Sequence, residues 1–469
     1  MRRVLSACAV VAGGMTAWAQ QASQPTGNSP GQNAQQASNP GPAPARVRPD
    51  YPKVTEGPYI ERTLPKEWVL KITLDLLSEQ GNAGTVPTNQ SRQPFQFEQM
   101  VMVWPFVGSA ANSVLKPDRV RSWLRFNAHD VITGGFAKET TPDNPRPMLF
   151  KKMASEDLYP AGVHLGTWTW EKPVTVQTVQ LQIDIPSTSW RTRLNDAEAL
   201  KVGWPKGPWP EEASACFQPE MYVDYGVDPR TGEVRMYDRK VIVDAVKNWT
   251  KGNPQEISPL RLAKFLAFQV NSTMSVTKQG FNLSPRTHFM EGLDMQGAPG
   301  ALKSGIGSMI DIGTVLVAVM REAGLPARLV YAFQGEQHSR DGLYLRTWTQ
   351  EERLRTWVEF CLYDEAKKTV NWVPIDYALL RSTSSRMQNL EQPWRYVGSI
   401  DYIGDLIPIA FQAFPPTTVV SYGSPGFWGW TIKPGVPAIA YQSIAISASP
   451  DQISPGDGSP SDTAQRPKR

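Results

Sequence analysis

The sequence predicts an α+β protein in which a β-sandwich-like N-terminal domain is followed by helices packed on a small antiparallel sheet. From Trp68 onward, hydrophobic residues recur at every second position, which is the period of a half-buried strand. Past residue 235 the period becomes helical, and strand patterns return after residue 328. With 469 residues, of which 41% are apolar, the chain can form two or three domain cores.

The first nineteen residues have the order of a secretory signal peptide. Arg2 and Arg3 are followed by the small and apolar residues 4–15, and residues 17–19 supply the Ala-Trp-Ala of a cleavage site. We therefore expect residues 1–19 to be removed and the protein to be exported, to the periplasm or outside the cell. A lipoprotein box that ends at Cys8 and a twin-arginine signal are the alternatives, with less support from the sequence.

Low-complexity segments flank the predicted folded region. Residues 20–50 and 449–469 consist mainly of small and polar residues, with too few large apolar side chains to offset the entropy cost of ordering. We expect a disordered tether at 20–50 and a disordered tail at 449–469. No later segment has the roughly 18 uninterrupted apolar residues of a spanning helix, so we expect no transmembrane segment in the mature chain.

Residues 51–235 are predicted to form the β-rich N-terminal domain. Its clearest strand patterns are Trp68 to Leu76, Met100 to Trp104 and Val174 to Ile185. Turn-rich loops separate these strands, which is typical of a sandwich.

Residues 236–400 are predicted to form the second domain. Ser258 and Pro259 begin one helix as N-cap and first helical residue. The apolar stripe of a second helix is Ile312, Val315, Leu316, Val319, Met320 and Ala323. Strands are expected at 329–333, 343–349, 355–363 and 369–375, and residues 401–448 are expected to form a C-terminal β extension.

Composition excludes several functional classes. The net charge of +4 is mild and no dense basic stripe is present, so nucleic acid is not an expected partner. Only four His and three Cys are present, and they are scattered, so we expect neither a metal cage nor a cofactor. Cleavage of the signal would leave Cys216 and Cys361, for which one disulfide and two buried free thiols both remain open.

Four motifs follow one another between residues 305 and 376. They are Gly305-Ile306-Gly307-Ser308-Met309-Ile310-Asp311, Gly324-Leu325-Pro326-Ala327-Arg328, Trp357-Val358-Glu359 and Trp372-Val373-Pro374-Ile375-Asp376. This series resembles the core of the transglutaminase-like superfamily, whose pattern is Gly-x-Cys-x-Asp, Gly-Ile-Pro-Ala-Arg, His-Ala-Trp-x-Glu and Trp-x-x-x-Asp. The resemblance covers residues 235 to 400 and implies a papain-like fold.

The resemblance places the three catalytic positions at Met309, Arg355 and Asp376. Met309 stands where the family has its nucleophilic Cys, Arg355 stands where it has His, and Asp376 matches. A thioether cannot ionise and a guanidinium stays protonated, so the acyl-thioester route is closed. We therefore expect a pseudoenzyme of the cell envelope that binds or scaffolds, with a peptide, a protein or a cell-wall polymer as the candidate partner.

The alternative is an active amide hydrolase or acyltransferase that uses relocated residues. Ser308 is next to the nucleophile position, but its spacing to Asp311 predicts a helix cap in which Ser308 binds the Asp311 amide. Cys361 lies six residues beyond Arg355, about 20 Å along a strand. His338 is in the turn 335–342 between two predicted strands, from which it could swing over the cleft, although a solvated loop His is the commoner case.

Two contacts are expected in the degenerate cleft. The backbone N–H groups that open the Met309 helix are expected to be available to a carboxylate or a peptide carbonyl. Arg355 and Asp376 are expected to form an ion pair with Met309 packed beside them, because the two strands that carry them are adjacent in the family.

Overall fold

The computed structural model describes residues 54–56, 59–78, 94–135, 151–152, 163–220, 222–224, 226–227, 234–235, 239–285, 289–335, 353–383, 385–411, 428–433 and 440–451. By its contacts the chain divides after Asp50, and every described residue belongs to the unit Tyr51–Arg469. The predicted signal peptide, Cys8, the tether, the strand at 343–349 and His338 lie outside the described residues, as do residues 452–469 of the tail.

Before residue 236 the structure is mostly strand. The strands are β1 (Val54–Glu56), β2 (Ile60–Ser78), β3 (Phe95–Phe97), β4 (Gln99–Val107), β5 (Ser109–Ala110), β6 (Ser113–Leu115), β7 (Arg121–Phe126), β8 (His129–Gly135), β9 (Lys151–Lys152), β10 (Val163–Trp170), β11 (Val174–Val176), β12 (Thr178–Leu194), β13 (Gly226–Val227) and β14 (Val234–Arg235). The helices of this part are the short α1 (Asp196–Ala199) and α2 (Glu211–Ser214).

After residue 236 helices and strands mix. The helices are α3 (Lys240–Thr250), α4 (Pro259–Thr273), α5 (Ala298–Ser304), α6 (Met309–Glu322) and α7 (Tyr377–Thr383). The strands are β15 (Ser275–Val276), β16 (Phe281–Leu283), β17 (Met290–Leu293), β18 (Ile306–Gly307), β19 (Ala327–Gln334), β20 (Leu354–Asp364), β21 (Thr369–Ile375), β22 (Leu406–Ala410), β23 (Gly429–Lys433) and β24 (Ala440–Pro450).

Two sheets form the predicted sandwich. The larger has the order β16-β17-β24-β2-β12-β6-β5, with β1 beside β2, β7 beside β12 and β8 beside β7, and the smaller has the order β23-β4-β10-β9. Apolar side chains of both sheets share one core, in which the Trp168 indole donates to the Ser122 hydroxyl at 3.0 Å. The α+β fold class and the N-terminal sandwich are therefore confirmed.

Strands from late in the chain complete both sheets. The last strand, β24, pairs with β2 from Trp68 to Ser78, and β23 pairs with β4. Strands β16 and β17, which come from the middle of the chain, lie at the edge of the same larger sheet. The domain boundary near residue 235 stays a prediction. At the other end, the tail was predicted to begin at residue 449, but β24 continues to Pro450. Alternation indicates a strand but not the sheet that it joins.

The second half places α6 against an antiparallel sheet of order β21-β20-β19-β22. Helix α6 is buried along almost its whole length and is packed by α3, α4 and α5 as well as by the sheet. It ends as predicted, because Gly324 takes φ +84° directly after the last turn. Within the part of the chain that the structure describes, no helix is both long and apolar enough to cross a bilayer.

Candidate functional site

Helix α6 begins at Met309 with a complete capping box. The Ser308 hydroxyl accepts a hydrogen bond from the Asp311 amide at 3.1 Å, and the Asp311 carboxylate accepts one from the Ser308 amide at 3.0 Å. The other oxygen of Asp311 accepts from the amides of Gln296 and Gly297. The predicted capping role of Ser308 is confirmed. Burial raises the pKa of Asp311 although these hydrogen bonds act against the rise.

The first N–H groups of α6 already have partners. The Met309 N–H donates to the Lys278 carbonyl at 2.8 Å, and the Ile310 N–H donates to the Gln279 carbonyl at 3.3 Å. The Asp311 N–H is held by Ser308. The expectation that these groups are free to bind a carboxylate or a peptide carbonyl is therefore wrong. The physical reason is that the segment before β16 runs along the helix start and supplies its own carbonyl oxygens.

The hydroxyl of Tyr377 lies between the helix start and strand β20. It donates to the Met309 carbonyl at 3.0 Å and is 2.5 Å from the Thr356 hydroxyl. A Cβ atom at Gly313 would lie 2.5 Å from this hydroxyl, so only glycine leaves room for the phenol. Tyr377 thus connects the three chain segments that carry the predicted catalytic positions, and its side chain is fully buried.

Asp376 is buried and its two oxygens are occupied. One oxygen accepts a hydrogen bond from the Leu379 amide at 2.8 Å, which caps the first turn of α7. The other accepts a hydrogen bond from the Tyr402 hydroxyl. Burial raises the pKa of Asp376, and these hydrogen bonds only partly oppose the rise. Burial and the neighbouring carboxylate also raise the pKa of Tyr402, so this phenol is a poor proton donor to substrate.

Arg355 does not form the predicted ion pair. Its side chain is exposed, and between these two described residues there is no salt bridge within 4 Å. The Arg355 charge still lowers the pKa of Asp376, but less than the hydrogen bonds from Leu379 and Tyr402 do. The guanidinium lies towards solvent, where it donates a weak hydrogen bond of 3.5 Å to the Leu354 carbonyl.

Comparison with known proteins identifies the segment that carries this geometry. Residues 263–377 match the family model of the transglutaminase-like superfamily. This segment is a transglutaminase-like domain. The match includes all three predicted positions, Met309, Arg355 and Asp376, and no curated protein matches the chain.

Two solved structures align with the chain at low similarity. A candidate cysteine protease from Cytophaga hutchinsonii aligns over 84% of this chain and 94% of its own, with 9% identity and a TM-score of 0.43. A candidate protease from Parabacteroides distasonis aligns over 53% of this chain and 37% of its own, with 10% identity and a TM-score of 0.19.

Behind the cleft, the transglutaminase-like domain contains a buried ion pair. Arg328 and Glu359 are both fully buried and are joined by two hydrogen bonds of 2.7 and 2.9 Å. The Arg328 guanidinium lies between the rings of Trp372 and Phe411, 3.9 and 3.8 Å from their centroids. Glu359 also accepts from the Ala111 amide at 2.8 Å, so the pair joins the sandwich to this domain.

The two cysteines in the described part of the chain, Cys216 and Cys361, are free and buried. They belong to one small apolar cluster with Trp372, and burial raises the pKa of Cys216 to about 11 and that of Cys361 well above its usual value. A thiol held in this protonated form is a poor nucleophile. Cys361 is therefore poorly suited to act as a nucleophile.

Sequence reasoning placed Met309, Arg355 and Asp376 in one region, and the structure brings their chain segments together through Tyr377. The sequence did not indicate that Tyr377, Tyr402 and Lys278 belong to this region. A signal for Tyr377 was present, because Gly313 stands inside a strong helix where glycine is unfavourable and therefore indicates a close approach.

Among the described residues, no group of three or more His, Cys, Asp and Glu is arranged to hold a metal ion.

Proposed function

We propose that this is an exported protein of the cell envelope whose transglutaminase-like domain binds a ligand without catalysing a reaction. The observation that carries the proposal is the start of α6, where the N–H of Met309, the residue that the resemblance aligns with the family's nucleophile, is bonded to the Lys278 carbonyl. A thioester route needs both an ionisable thiol and a free donor for the oxyanion. Met309 supplies neither. The N-terminal pattern of residues 1–19 supports export.

The other two positions support the same proposal. Arg355 cannot accept a proton, because a guanidinium remains charged at any physiological pH. Asp376 is engaged by Leu379 and Tyr402, so it acts as a helix cap and a hydrogen-bond acceptor. Ser308 gives no support to relocated catalysis, because its hydroxyl is committed to the capping box.

The ligand that suits this cleft carries a carboxylate. Arg355 is exposed and is close enough to the partly exposed Tyr402 for its charge to lower the pKa of that phenol, and the Tyr402 ring lies 6.3 Å from that of Tyr396. A guanidinium binds a carboxylate through a two-pronged hydrogen bond, and aromatic edges beside it favour a peptide chain. A peptide, a protein tail or the peptide of a cell-wall polymer provides this chemistry.

A turnover assay tests the non-catalytic part. Purified protein is incubated with glutamine-containing peptides and peptide amides, with and without iodoacetamide or a serine-directed fluorophosphonate, and ammonia release is measured. We expect equal, background rates for the wild type, Met309→Ala and Met309→Cys, since nothing near position 309 would activate a thiol. Inhibitor-sensitive turnover by the wild type would overturn the proposal.

A binding assay tests the ligand. Calorimetry compares a short peptide with a free C-terminal carboxylate and the same peptide with a C-terminal amide. We expect only the carboxylate form to bind, Arg355→Ala to abolish binding, and Arg355→Lys to retain a part of it. Lys247→Ala, which removes an exposed cation on α3, is the matched control. Equal binding of both peptides, or of wild type and Arg355→Ala, would contradict the proposed ligand.

A further inference from the structure

The outward face of the larger sheet carries a row of polar side chains around a tryptophan. We call this surface the polar face and define it by Asp75, Trp123, Arg125, Gln180, Gln182 and Asp184. Its residues lie on the three adjacent strands β2, β12 and β7. The strands' other residues, such as Leu74, Leu181 and Leu124, are buried in the sandwich core. The polar face is therefore the side of the sheet that turns away from the smaller sheet.

The register places these side chains next to one another. Gln180 pairs directly with Asp75 on one side and with Arg125 on the other, and Gln182 pairs with Trp123. Directly paired residues of antiparallel strands lie on the same side of the sheet, about 5 Å apart. The polar face is thus a continuous patch across three strands.

Hydrogen bonds hold the polar side chains in fixed orientations. The Gln180 amide donates to Asp75 at 2.8 Å, and Arg125 donates to the carbonyl oxygens of Gln180 and Gln182 at 3.3 and 3.2 Å. The Gln182 amide donates to Asp184 at 3.4 Å. Each carboxylate has a second oxygen that can accept from a ligand. The arrangement presents fixed acceptors and amide donors without a rotamer search on binding.

Trp123 is the aromatic residue of this patch. The neighbouring Ser122 faces inward, where it accepts from Trp168, so Trp123 faces outward, and its side chain is half-exposed. It is not among the side chains packed against the core clusters. A large flat ring beside fixed hydrogen-bonding groups suits a ligand that has both an apolar face and polar edges.

The charges on and beside the polar face balance. Among the described residues of these strands and the turn after β7, the cations are Lys71, Arg121 and Arg125, and the carboxylates are Asp75, Asp130 and Asp184. A face with equal numbers of both signs has no net attraction for a polyanion or a polycation. An uncharged ligand rich in hydroxyl groups meets the same surface without a charge mismatch.

We propose that the polar face binds a neutral saccharide, with Trp123 stacked on a sugar ring and the amide and carboxylate groups of Gln180, Gln182, Asp75 and Asp184 bonded to its hydroxyls. Burial raises the pKa of Asp75 and of Asp184, while the hydrogen bonds from Gln180 and Gln182 act against the rise. This site is separate from the cleft at Arg355 and does not depend on the function proposed there.

Calorimetry on the full chain tests this site. The probes are the neutral tetrasaccharides of glucose and of N-acetylglucosamine with β-1,4 linkage, and of glucose with α-1,4 linkage, with polygalacturonate as the anionic comparison. We expect at least one neutral probe to bind. Trp123→Ala should weaken that binding about tenfold or more, and Gln182→Ala about threefold to tenfold, which is the loss expected for one stacking contact and one hydrogen bond.

Matched variants separate this site from general effects. Trp123→Tyr keeps an aromatic ring and should retain most of the affinity, and Trp249→Ala removes another half-buried tryptophan, on α3, and should leave it unchanged. Circular dichroism checks that each variant is folded, and if Trp123→Ala fails to fold, Gln182→Ala and Trp123→Tyr still give the comparison. The proposal is overturned if none of the neutral probes binds, if only polygalacturonate binds, or if Gln182→Ala and the Trp123 variants bind as the wild type does.

Discussion

Arg328 and Glu359 are buried and bonded to each other, whereas Met309 is partly exposed and Arg355 is exposed. Both pairs of positions come from the pattern that resembles the transglutaminase-like superfamily. One pair joins two strands and the sandwich behind them. Met309 and Arg355 stand at the positions that the resemblance aligns with the family's catalytic residues.

The difference shows that buried and exposed positions in one series of motifs are under different physical constraints. Removing one partner of a buried ion pair leaves an uncompensated charge in the protein interior, which costs several kcal/mol. Replacing an exposed side chain usually costs less than about 0.5 kcal/mol. The fold of such a domain therefore constrains its buried ion pair far more strongly than it constrains its exposed positions.

The largest effect is expected from breaking the buried pair. Glu359→Ala should lower the free energy of unfolding by about 3–5 kcal/mol, because Arg328 would be left buried without its carboxylate. Denaturant titration measures the loss. The control is Lys201→Ala, which breaks the exposed pair with Glu198 and should change stability by less than about 0.5 kcal/mol. Similar effects of the two substitutions would remove the contrast between buried and exposed positions.

A smaller effect is expected from Asp376. Asp376→Ala should lower the free energy of unfolding by about 1–3 kcal/mol, because the Leu379 amide loses its cap and the Tyr402 hydroxyl loses its acceptor. Asp401→Ala, at an exposed carboxylate, is the control and should have little effect. If Asp376→Ala left the free energy of unfolding unchanged, the carboxylate would have no structural role.

Asp376 should also give the stability a pH dependence of defined sign. Because burial raises its pKa in the folded protein, the folded state binds this proton at a higher pH than the unfolded chain does. Wild-type stability relative to Asp376→Asn, which cannot titrate, should therefore grow as pH falls from 7 to about 4. Denaturant titrations of both proteins across this range measure the difference. If the stability of the wild type relative to Asp376→Asn decreased as the pH fell, the pKa of Asp376 in the folded protein would be lowered instead of raised.

The smallest effect is expected at Arg355. Arg355→Ala should change the free energy of unfolding by less than about 0.5 kcal/mol, since the side chain is exposed and has no salt bridge to Asp376. The predicted ion pair would instead have made this substitution costly. A loss above about 2 kcal/mol in denaturant titration would show that Arg355 and Asp376 are paired in solution.

Much of the fold could be predicted because local patterns carry it. The alternation after Trp68 indicated β2, and the stripe from Ile312 to Ala323 indicated α6. The capping role of Ser308 was also readable, because the cap and its partner Asp311 are three residues apart. Each of these features depends on neighbours within one turn or one strand.

The partners at the site could not be predicted in the same way. Met309 meets Lys278, 31 positions earlier, and Asp376 meets Tyr402, 26 positions later, and no local pattern encodes either contact. The ion pair predicted for Arg355 was wrong because adjacency of two strands does not decide which donor reaches a carboxylate first. Tyr402 and the Leu379 amide reach it.

The sequence by itself determined most of the element types and the cap of α6, because these follow from residue chemistry and short-range spacing. Only the tertiary structure decided that β24 completes the larger sheet, that Tyr377 fills the space above Gly313 and that the first N–H groups of α6 are occupied. The reason is physical: hydrogen bonds and packing between distant segments depend on how several elements compete for the same donors and the same space.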